Sequence, residues 1–173
     1  TNDMYYFSQV HHELYTTRRY VLPKVPNPGI ICEHMDYDKW TPPPYKEHFK
    51  GFDFGITKPL LIIHNKYNQE WGGSPIHFLD IQILEKIFKL LHNKFQIIYS
   101  RPGNSLVVGD TSEVYDLAGE STLCGTYGVL ESSTLFVKFQ KDFNNFNHFQ
   151  LCLHANCDHF ISVQGGSSYL ASY

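Results

Sequence analysis

The clearest structural signal in this chain is the segment 59–100, which reads PLLIIHNKYNQEWGGSPIHFLDIQILEKIFKLLHNKFQIIYS. It opens with Leu60-Leu61-Ile62-Ile63, a continuous apolar run that is typical of a strand buried on both faces. It closes with Phe95-Gln96-Ile97-Ile98-Tyr99, which has the same character. We therefore predict buried strands over residues 60–64 and 95–99.

The segment between these two strands has the periodicity of a helix. Asp80 stands at its start as a natural N-cap, and Lys86, Lys89 and Lys94 fall in its C-terminal half, where cations favour the helix dipole. Its apolar residues lie largely on one stripe at a spacing of about 3.6 residues, and they are Ile81, Ile83, Leu84, Ile87, Phe88, Leu90 and Leu91. The pattern predicts a helix over 81–93, and a strand–helix–strand unit of this kind has parallel strands.

A third strand and a second helix extend this unit. The run Phe160-Ile161-Ser162-Val163 predicts a strand over residues 159–163, and the apolar residues before it predict a helix over 147–156. We expect the three strands to be neighbours in one sheet. The predicted fold class is therefore α/β, with a Rossmann-like parallel sheet flanked by helices over residues 59–173.

The pattern is weaker between residues 104 and 143. Short apolar runs there predict strands over 106–108 and 134–137, and the segment from Glu113 to Leu117 predicts a turn or a short helix.

Residues 1–58 differ in amino-acid composition from the rest of the chain. They are rich in aromatic residues and contain the proline clusters Val25-Pro26-Asn27-Pro28 and Pro42-Pro43-Pro44, which exclude long helices. We expect an irregular N-terminal arm or the remnant of a neighbouring domain. Because the chain starts at Thr1 and stops at Tyr173, close to a predicted helix start, we also expect a domain truncated at its C-terminus.

Composition and short motifs exclude several classes of protein. A net charge of −3 argues against a general nucleic-acid binder. The apolar runs are far shorter than the roughly 20 residues that span a bilayer, and no leader pattern is present. The four cysteines form no C-x-x-C pair, and the histidines lack the spacing of a metalloprotease. We expect buried, reduced thiols, no metal site, no transmembrane segment and a cytoplasmic protein.

The strongest candidate for a ligand site follows the third strand, at Gln164-Gly165-Gly166-Ser167-Ser168. Glycines allow the backbone to approach a phosphate, and the start of the following helix supplies free N–H groups and a positive dipole. The pattern indicates a diphosphate-binding turn. In the alternative interpretation, the serines only cap the helix.

Two further candidates follow the first two strands, at the edge where open parallel sheets bind ligands. In the loop after the first strand, Lys66 can neutralise a phosphate, Glu70 can act as a base or hold a sugar hydroxyl, and Trp71 can stack on a sugar or a base. After the second strand, Arg101 suits a diphosphate or a carboxylate. The alternatives are a surface charge for Lys66, a lid over the core for Trp71, and a structural ion pair of Arg101 with Asp110 or Glu113.

The segment from Pro59 to Tyr173 resembles a group of glycosyltransferase-like proteins from microbes and large viruses. Three segments carry the resemblance, and they are Asn65-Lys66-Tyr67 with Glu70-Trp71, Tyr99-x-Arg101-Pro102, and Phe160–Gly166. More generally, the segment is similar to the C-terminal, donor-binding half of GT-B glycosyltransferases.

The resemblance implies transfer of a sugar from a nucleotide-sugar donor to a glycan or other acceptor, with no cofactor and usually no bound metal. It assigns Gly165, Gly166, Ser167 and Ser168 to the donor diphosphate, and Lys66 and Arg101 to supporting roles. The chain is too short to hold both domains of a GT-B enzyme. A non-catalytic Rossmann-like module that serves binding or assembly is therefore the principal alternative, and another α/β enzyme is a further one.

Overall fold

The computed structural model describes residues 45–69, 74–75, 77–101 and 113–163. Its helices are α1 (Tyr45–Phe49), α2 (Ile81–Leu91), α3 (Glu120–Tyr127), α4 (Ser132–Phe139) and α5 (Phe146–Ala155). Its strands are β1 (Leu60–His64), β2 (Asn68–Gln69), β3 (Gln96–Ser100), β4 (Glu113–Val114), β5 (Leu130–Glu131) and β6 (Phe160–Ser162).

Four of these strands form one parallel sheet in the order β5-β3-β1-β6. β1 lies at its centre, between β3 and β6, so Ile62 is opposite Ile98 on one side and Phe160 on the other. The three strands that the sequence predicts are therefore neighbours in one parallel sheet, flanked by helices. This confirms the α/β, Rossmann-like fold class.

Each face of the sheet carries its own apolar cluster. Side chains alternate between the faces along a strand, so Leu61 and Ile63 pack with Leu84 and Phe88 of α2. Ile62 packs on the opposite face, in the cluster formed with α4 and α5. Because both faces of β1 are covered, its sequence is apolar at successive positions rather than at alternate ones.

Side-chain caps fix the starts of the two long helices. Asp80 Oδ1 accepts a hydrogen bond of 2.8 Å from the backbone N–H of Ile83, and Asn145 Oδ1 accepts one of 2.9 Å from that of His148. Caps of this type stabilise a helix by about 1 kcal/mol. The helices predicted over 81–93 and 147–156 are confirmed, with the bounds given above.

Two local predictions are wrong. Residues 134–137 lie inside α4 and do not form a strand, because Leu135 is buried whereas Val137 is exposed, as helical spacing requires. Glu113–Val114 forms strand β4 rather than a turn or a helix, and it pairs antiparallel with β2. The predicted strand over 106–108 lies outside the described residues.

The segment that precedes β1 packs against the core. Phe54 is buried in the cluster on the α4 and α5 face, and Phe49 and Phe52 lie against the same cluster. The backbone N–H of Gly51 donates a hydrogen bond of 2.9 Å to Asn156 Oδ1. The boundary predicted between residues 58 and 59 therefore falls within a compact unit that begins before it.

Three of the four cysteines lie in the described part of the chain, and they are the buried, unpaired thiols Cys124, Cys152 and Cys157. Burial raises the pKa of Cys124 to about 12, so this thiol stays protonated at neutral pH. The prediction of buried, reduced thiols is confirmed for these three. In the same part of the chain, no helix is long and apolar enough to cross a bilayer.

Candidate functional site at the carboxyl edge of the sheet

The carboxyl edge of the sheet carries a row of polar side chains. The central strand β1 ends at His64, which lies opposite Ser100 of β3 and Ser162 of β6. By strand alternation all three share the face of Ile62, which is the face covered by α4 and α5. We call His64, Ser100 and Ser162 the edge row. Ligands of open α/β sheets bind at this edge.

Helix α4 begins at the edge row. β5 leads directly into α4, and Ser132, the first residue of the helix, donates a hydrogen bond of 3.2 Å from its Oγ to the Oγ of Ser100. Both serines are buried. The Glu131 side chain makes no capping hydrogen bond to the helix. The N-terminus of α4, with its free N–H groups and positive dipole, therefore lies at the same edge as the polar row.

His64 is a buried imidazole with an unsatisfied nitrogen. Only 9% of the residue is exposed, and its Nδ1 has no hydrogen-bond partner among the residues that the structure describes. Burial lowers the pKa of His64 to about 4, and the nearby His154 and Lys66 act in the same direction. The ring is therefore neutral at neutral pH. An unsatisfied buried polar atom destabilises a protein by about 1–3 kcal/mol, and a functional role or a bound water molecule are two of its explanations.

A hydrogen-bonded network occupies the other face of the sheet at this edge. Asn65 Nδ2 donates to the Tyr99 hydroxyl at 2.9 Å, and this hydroxyl donates to Glu120 Oε2 at 2.8 Å. Arg101 Nη1 completes the network by binding both carboxylate oxygens of Glu120, at 2.7 and 2.9 Å. Burial raises the pKa of Tyr99 well above its usual value, so the phenol remains a donor.

Asn65 joins the loop after β1 to the start of α2. Its Oδ1 accepts hydrogen bonds from the backbone N–H groups of Leu79 (2.8 Å) and Lys66 (3.0 Å), and its Nδ2 donates to the Leu79 carbonyl (2.9 Å). The residue is completely buried. Because its amide satisfies backbone groups that would otherwise be unpaired, it fixes the conformation of the loop.

Arg101 holds two further segments in place. Its Nη2 donates to the backbone carbonyls of Tyr115 at 2.6 Å and Tyr67 at 3.4 Å. Together with the ion pair to Glu120, these bonds give Arg101 the structural role that the sequence analysis left open. The partner that the structure describes is Glu120, whereas Asp110 and the side chain of Glu113 lie outside the described part of the chain. The role of Arg101 in diphosphate binding stays a prediction.

Lys66 and Arg101 both follow strands at the carboxyl edge, where the sequence analysis expects them. Lys66 is half-buried, and its charge lies close enough to His64 to lower the pKa of that ring. The other predicted site residues lie outside the described part of the chain, and they are Glu70, Trp71, Gln164, Gly165, Gly166, Ser167 and Ser168. Their assigned roles stay predictions.

An open cavity of about 470 Å³ also borders this edge, between the loop after β1 and the segment that follows β4. It is lined by Tyr67, Gln69, Ser74, Pro75, Tyr115 and Asp116. A smaller cavity of about 280 Å³ lies at the opposite edge, next to Pro59, Leu60 and His159. The larger cavity is at the edge where parallel sheets bind ligands, so we consider it part of the candidate site.

The fold and this edge define the chain as an α/β protein with a Rossmann-like sheet and a candidate ligand site where its strands end. No protein-family model matches the chain, and no curated protein or solved structure shows a significant similarity to it. Within the described ranges, no three or more histidine, cysteine, aspartate or glutamate side chains are grouped so that they could hold a metal ion.

Sequence reasoning missed several residues of this edge. His64 was predicted only as the last residue of the first strand, because its place next to His154 depends on the packing of α5 over the sheet. Glu120 was missed because it lies 19 positions beyond Arg101. Tyr115 and Asp116 were missed because the pairing of two-residue strands leaves almost no periodic signal.

Proposed function

We propose that this chain binds a nucleotide-sugar at the carboxyl edge of its sheet and transfers the sugar to a glycan or other acceptor. The observation that carries the proposal is the convergence of the edge row, the N-terminus of α4 and the large cavity at this single edge. Hydroxyls and helix N–H groups suit phosphate oxygens, and the cavity has room for the rest of the ligand.

The predicted diphosphate-binding turn supports this proposal by its position in the sequence. Ser162 is the last residue of β6, and the turn Gln164–Ser168 starts two residues later. A diphosphate held by Gly165, Gly166 and the serine hydroxyls would therefore lie close to the edge row. Lys66 supplies a positive charge at the same edge, which offsets the charge of the diphosphate without a metal ion.

The remaining roles belong to the loop after β1. In the proposed reaction, the Glu70 carboxylate takes the proton from the acceptor hydroxyl as that oxygen attacks the anomeric carbon of the sugar. The nucleoside diphosphate leaves, and Trp71 stacks on the sugar or the base. The proposal includes a cytoplasmic setting, in keeping with the buried, unpaired thiols of the described chain.

The test is a binding panel of UDP-, GDP-, ADP- and CMP-linked sugars, measured by thermal shift and calorimetry. A ligand at about 100 times its Kd stabilises the fold by roughly 2.7 kcal/mol. The decisive variant is Gly166→Val, because a β-branched side chain in the turn blocks the approach of a phosphate. The matched control is Gly125→Val in α3, where an added Cβ meets no atom within 4 Å.

We expect one nucleotide-sugar to bind the wild type and Gly125→Val, and not Gly166→Val. If no member of the panel binds the wild type, the proposal is wrong. If Gly166→Val is folded and binds as tightly as the wild type, the glycines serve only the turn.

A non-catalytic binding module is the second candidate. The observation that favours it is the commitment of Arg101 to Glu120 and to two backbone carbonyls, which leaves this edge with less free positive charge for a transition state. Release of nucleoside diphosphate from a bound nucleotide-sugar, followed with and without a glycan acceptor, separates the two candidates. Turnover that depends on Glu70, lost in Glu70→Gln, identifies the enzyme.

A further inference from the structure

The large cavity is built on two segments that backbone hydrogen bonds hold together. β2 and β4 pair antiparallel, with Asn68 opposite Val114 and Gln69 opposite Glu113. The N–H of Tyr115 donates to the carbonyl of Tyr67 at 2.9 Å, which extends this ladder by one bond. The lining residues Tyr67, Gln69 and Tyr115 therefore have fixed relative positions.

The two tyrosine rings that line the cavity are also held in place by neighbouring side chains. The rings of Tyr67 and Tyr115 meet edge to face at a centroid distance of 5.9 Å, and Tyr67 packs on Phe78 at 4.5 Å. Arg101 lies 6.0 Å from the centroid of the Tyr67 ring and binds the carbonyls of both tyrosines. A wall that is ordered without a ligand avoids the entropy loss of ordering on binding.

The charge of the described lining residues disfavours an anionic ligand group. Among the lining residues that the structure describes, Asp116 is the one acidic residue and no residue is basic, and Asp116 is exposed. The nearest described arginine, Arg101, is paired with Glu120 at 2.7 Å, so its charge is largely neutralised. A phosphate in this cavity would face the Asp116 carboxylate with no compensating cation among the described lining residues, whereas a neutral group meets no such repulsion.

The polar groups of the lining suit hydroxyls. A carboxylate such as that of Asp116 can accept hydrogen bonds from two neighbouring hydroxyls at once. The Gln69 amide is oriented by the hydrogen bond that its Oε1 accepts from the Tyr115 hydroxyl, and Ser74 adds a hydroxyl of its own. The tyrosine rings offer an apolar surface to the C–H face of a sugar ring.

We infer that this cavity binds a neutral ring with vicinal hydroxyls, through the Asp116 carboxylate and the Tyr67 and Tyr115 rings. The inference rests on the proposed function, since it assigns the glycosyl unit or the ribose of the nucleotide-sugar to this cavity and the diphosphate to the edge row. Both rings present the same diol chemistry, so the experiment must distinguish them.

The experiment titrates the full chain with methyl glycosides, with methyl β-D-ribofuranoside and with inorganic phosphate, and follows the ring signals of Tyr67 and Tyr115 by NMR. The variant is Asp116→Ala, and because the side chain is exposed we expect the fold to stay intact. The control is Asp142→Ala, which changes another exposed aspartate, in the turn between α4 and α5.

We expect one class of neutral glycoside to shift both tyrosine signals, and Asp116→Ala to weaken that binding about tenfold, because hydrogen bonds to a charged acceptor are among the stronger ones. Asp142→Ala should bind as the wild type does. A response to methyl glycosides identifies the glycosyl unit, and a response to the ribofuranoside alone identifies the ribose. Phosphate should leave the tyrosine signals unchanged.

The inference is overturned if no glycoside shifts these signals, if phosphate shifts them, or if Asp116→Ala binds as the wild type does. Nucleotide-sugars that bind the wild type and Asp116→Ala equally would overturn it and leave the proposed function standing. Glycosides that bind here while no nucleotide-sugar binds the protein would support it and contradict the proposed function.

Discussion

Single residues at the carboxyl edge have sharply different environments on the two faces of the sheet. On one face, Tyr99, Glu120 and Arg101 form a hydrogen-bonded network, in which Arg101 Nε is buried without a partner among the described residues. On the other face, the buried His64 has a nitrogen without a hydrogen-bond partner among the described residues. A hydrogen-bonded network makes an edge rigid, whereas a buried polar atom without a partner can gain a hydrogen bond from a ligand or a water molecule. The network therefore supports the edge, and the His64 ring adds a buried polar atom with which a ligand could form a hydrogen bond.

The pH dependence of stability tests the environment of His64. Burial lowers its pKa from 6.5 to about 4, so the unfolded chain binds a proton more readily than the folded chain between these values. The stability should therefore fall as the pH falls from 6.5 to 4, by about 3 kcal/mol from this residue. Urea unfolding of wild type and His64→Phe between pH 7 and pH 4 measures it, and the variant should lose less stability. His159→Gln, which changes an exposed histidine, should follow the wild type.

The ion pair of Arg101 with Glu120 should contribute strongly to stability. The two side chains are only 13% and 17% exposed, so Glu120→Gln leaves a largely buried guanidinium without its counter-charge. We expect a loss of about 3 kcal/mol. The control is Asp158→Asn, which breaks the pair with Lys46 at 3.8 Å, where the aspartate is 81% exposed. This exposed pair should contribute less than about 1 kcal/mol, and equal losses in the two variants would contradict the structural role of Arg101.

Elements with a strong local pattern could be predicted from the sequence, and elements that depend on distant partners could not. β1, β3 and α2 were predicted because a strand buried on both faces and a helix with one apolar stripe have distinct patterns. The short run 134–137 was assigned to a strand because four apolar or β-branched residues fit either structure. Tertiary packing of Leu135 decides in favour of α4.

Leu135 and Val137 provide a test of this correction. In a strand, these two residues would share a face, but in α4 Leu135 is 5% exposed and Val137 is 62% exposed. Leu135→Ala should therefore lower the free energy of unfolding by about 2–5 kcal/mol, and Val137→Ala should change it by less than about 0.5 kcal/mol. Chemical denaturation of the two variants measures the difference. Similar, large losses in both would indicate a strand.

At the scale of the whole molecule, the candidate site was predictable in position but only partly in composition. The sequence places Lys66 and Arg101 at the ends of parallel strands, and the structure confirms that these ends lie at one edge. The sequence does not reveal the ion pair of Arg101 with Glu120 or the cavity lined by Tyr115. Both depend on residues after β3 that contact segments distant in the sequence. No local spacing specifies such contacts.

The segment before Pro59 belongs to the same compact unit as the sheet, and a mutation in it can test this. If the segment before Pro59 were an independent arm, its aromatic residues would not influence the stability of the sheet. Phe54, however, is only 4% exposed and meets the rings of Phe139, Phe143 and Phe149 at centroid distances between 5.7 and 6.4 Å. Phe54→Ala should therefore lower the free energy of unfolding by about 3–5 kcal/mol. Leu90→Ala, at a position that is 72% exposed, should leave the free energy of unfolding nearly unchanged.

Urea denaturation of the two variants measures the difference. A cooperative transition that shifts to lower urea in Phe54→Ala and stays in place in Leu90→Ala would show that the segment and the sheet unfold together. An unchanged transition in Phe54→Ala would indicate that the domain boundary lies between residues 58 and 59, as the sequence predicts.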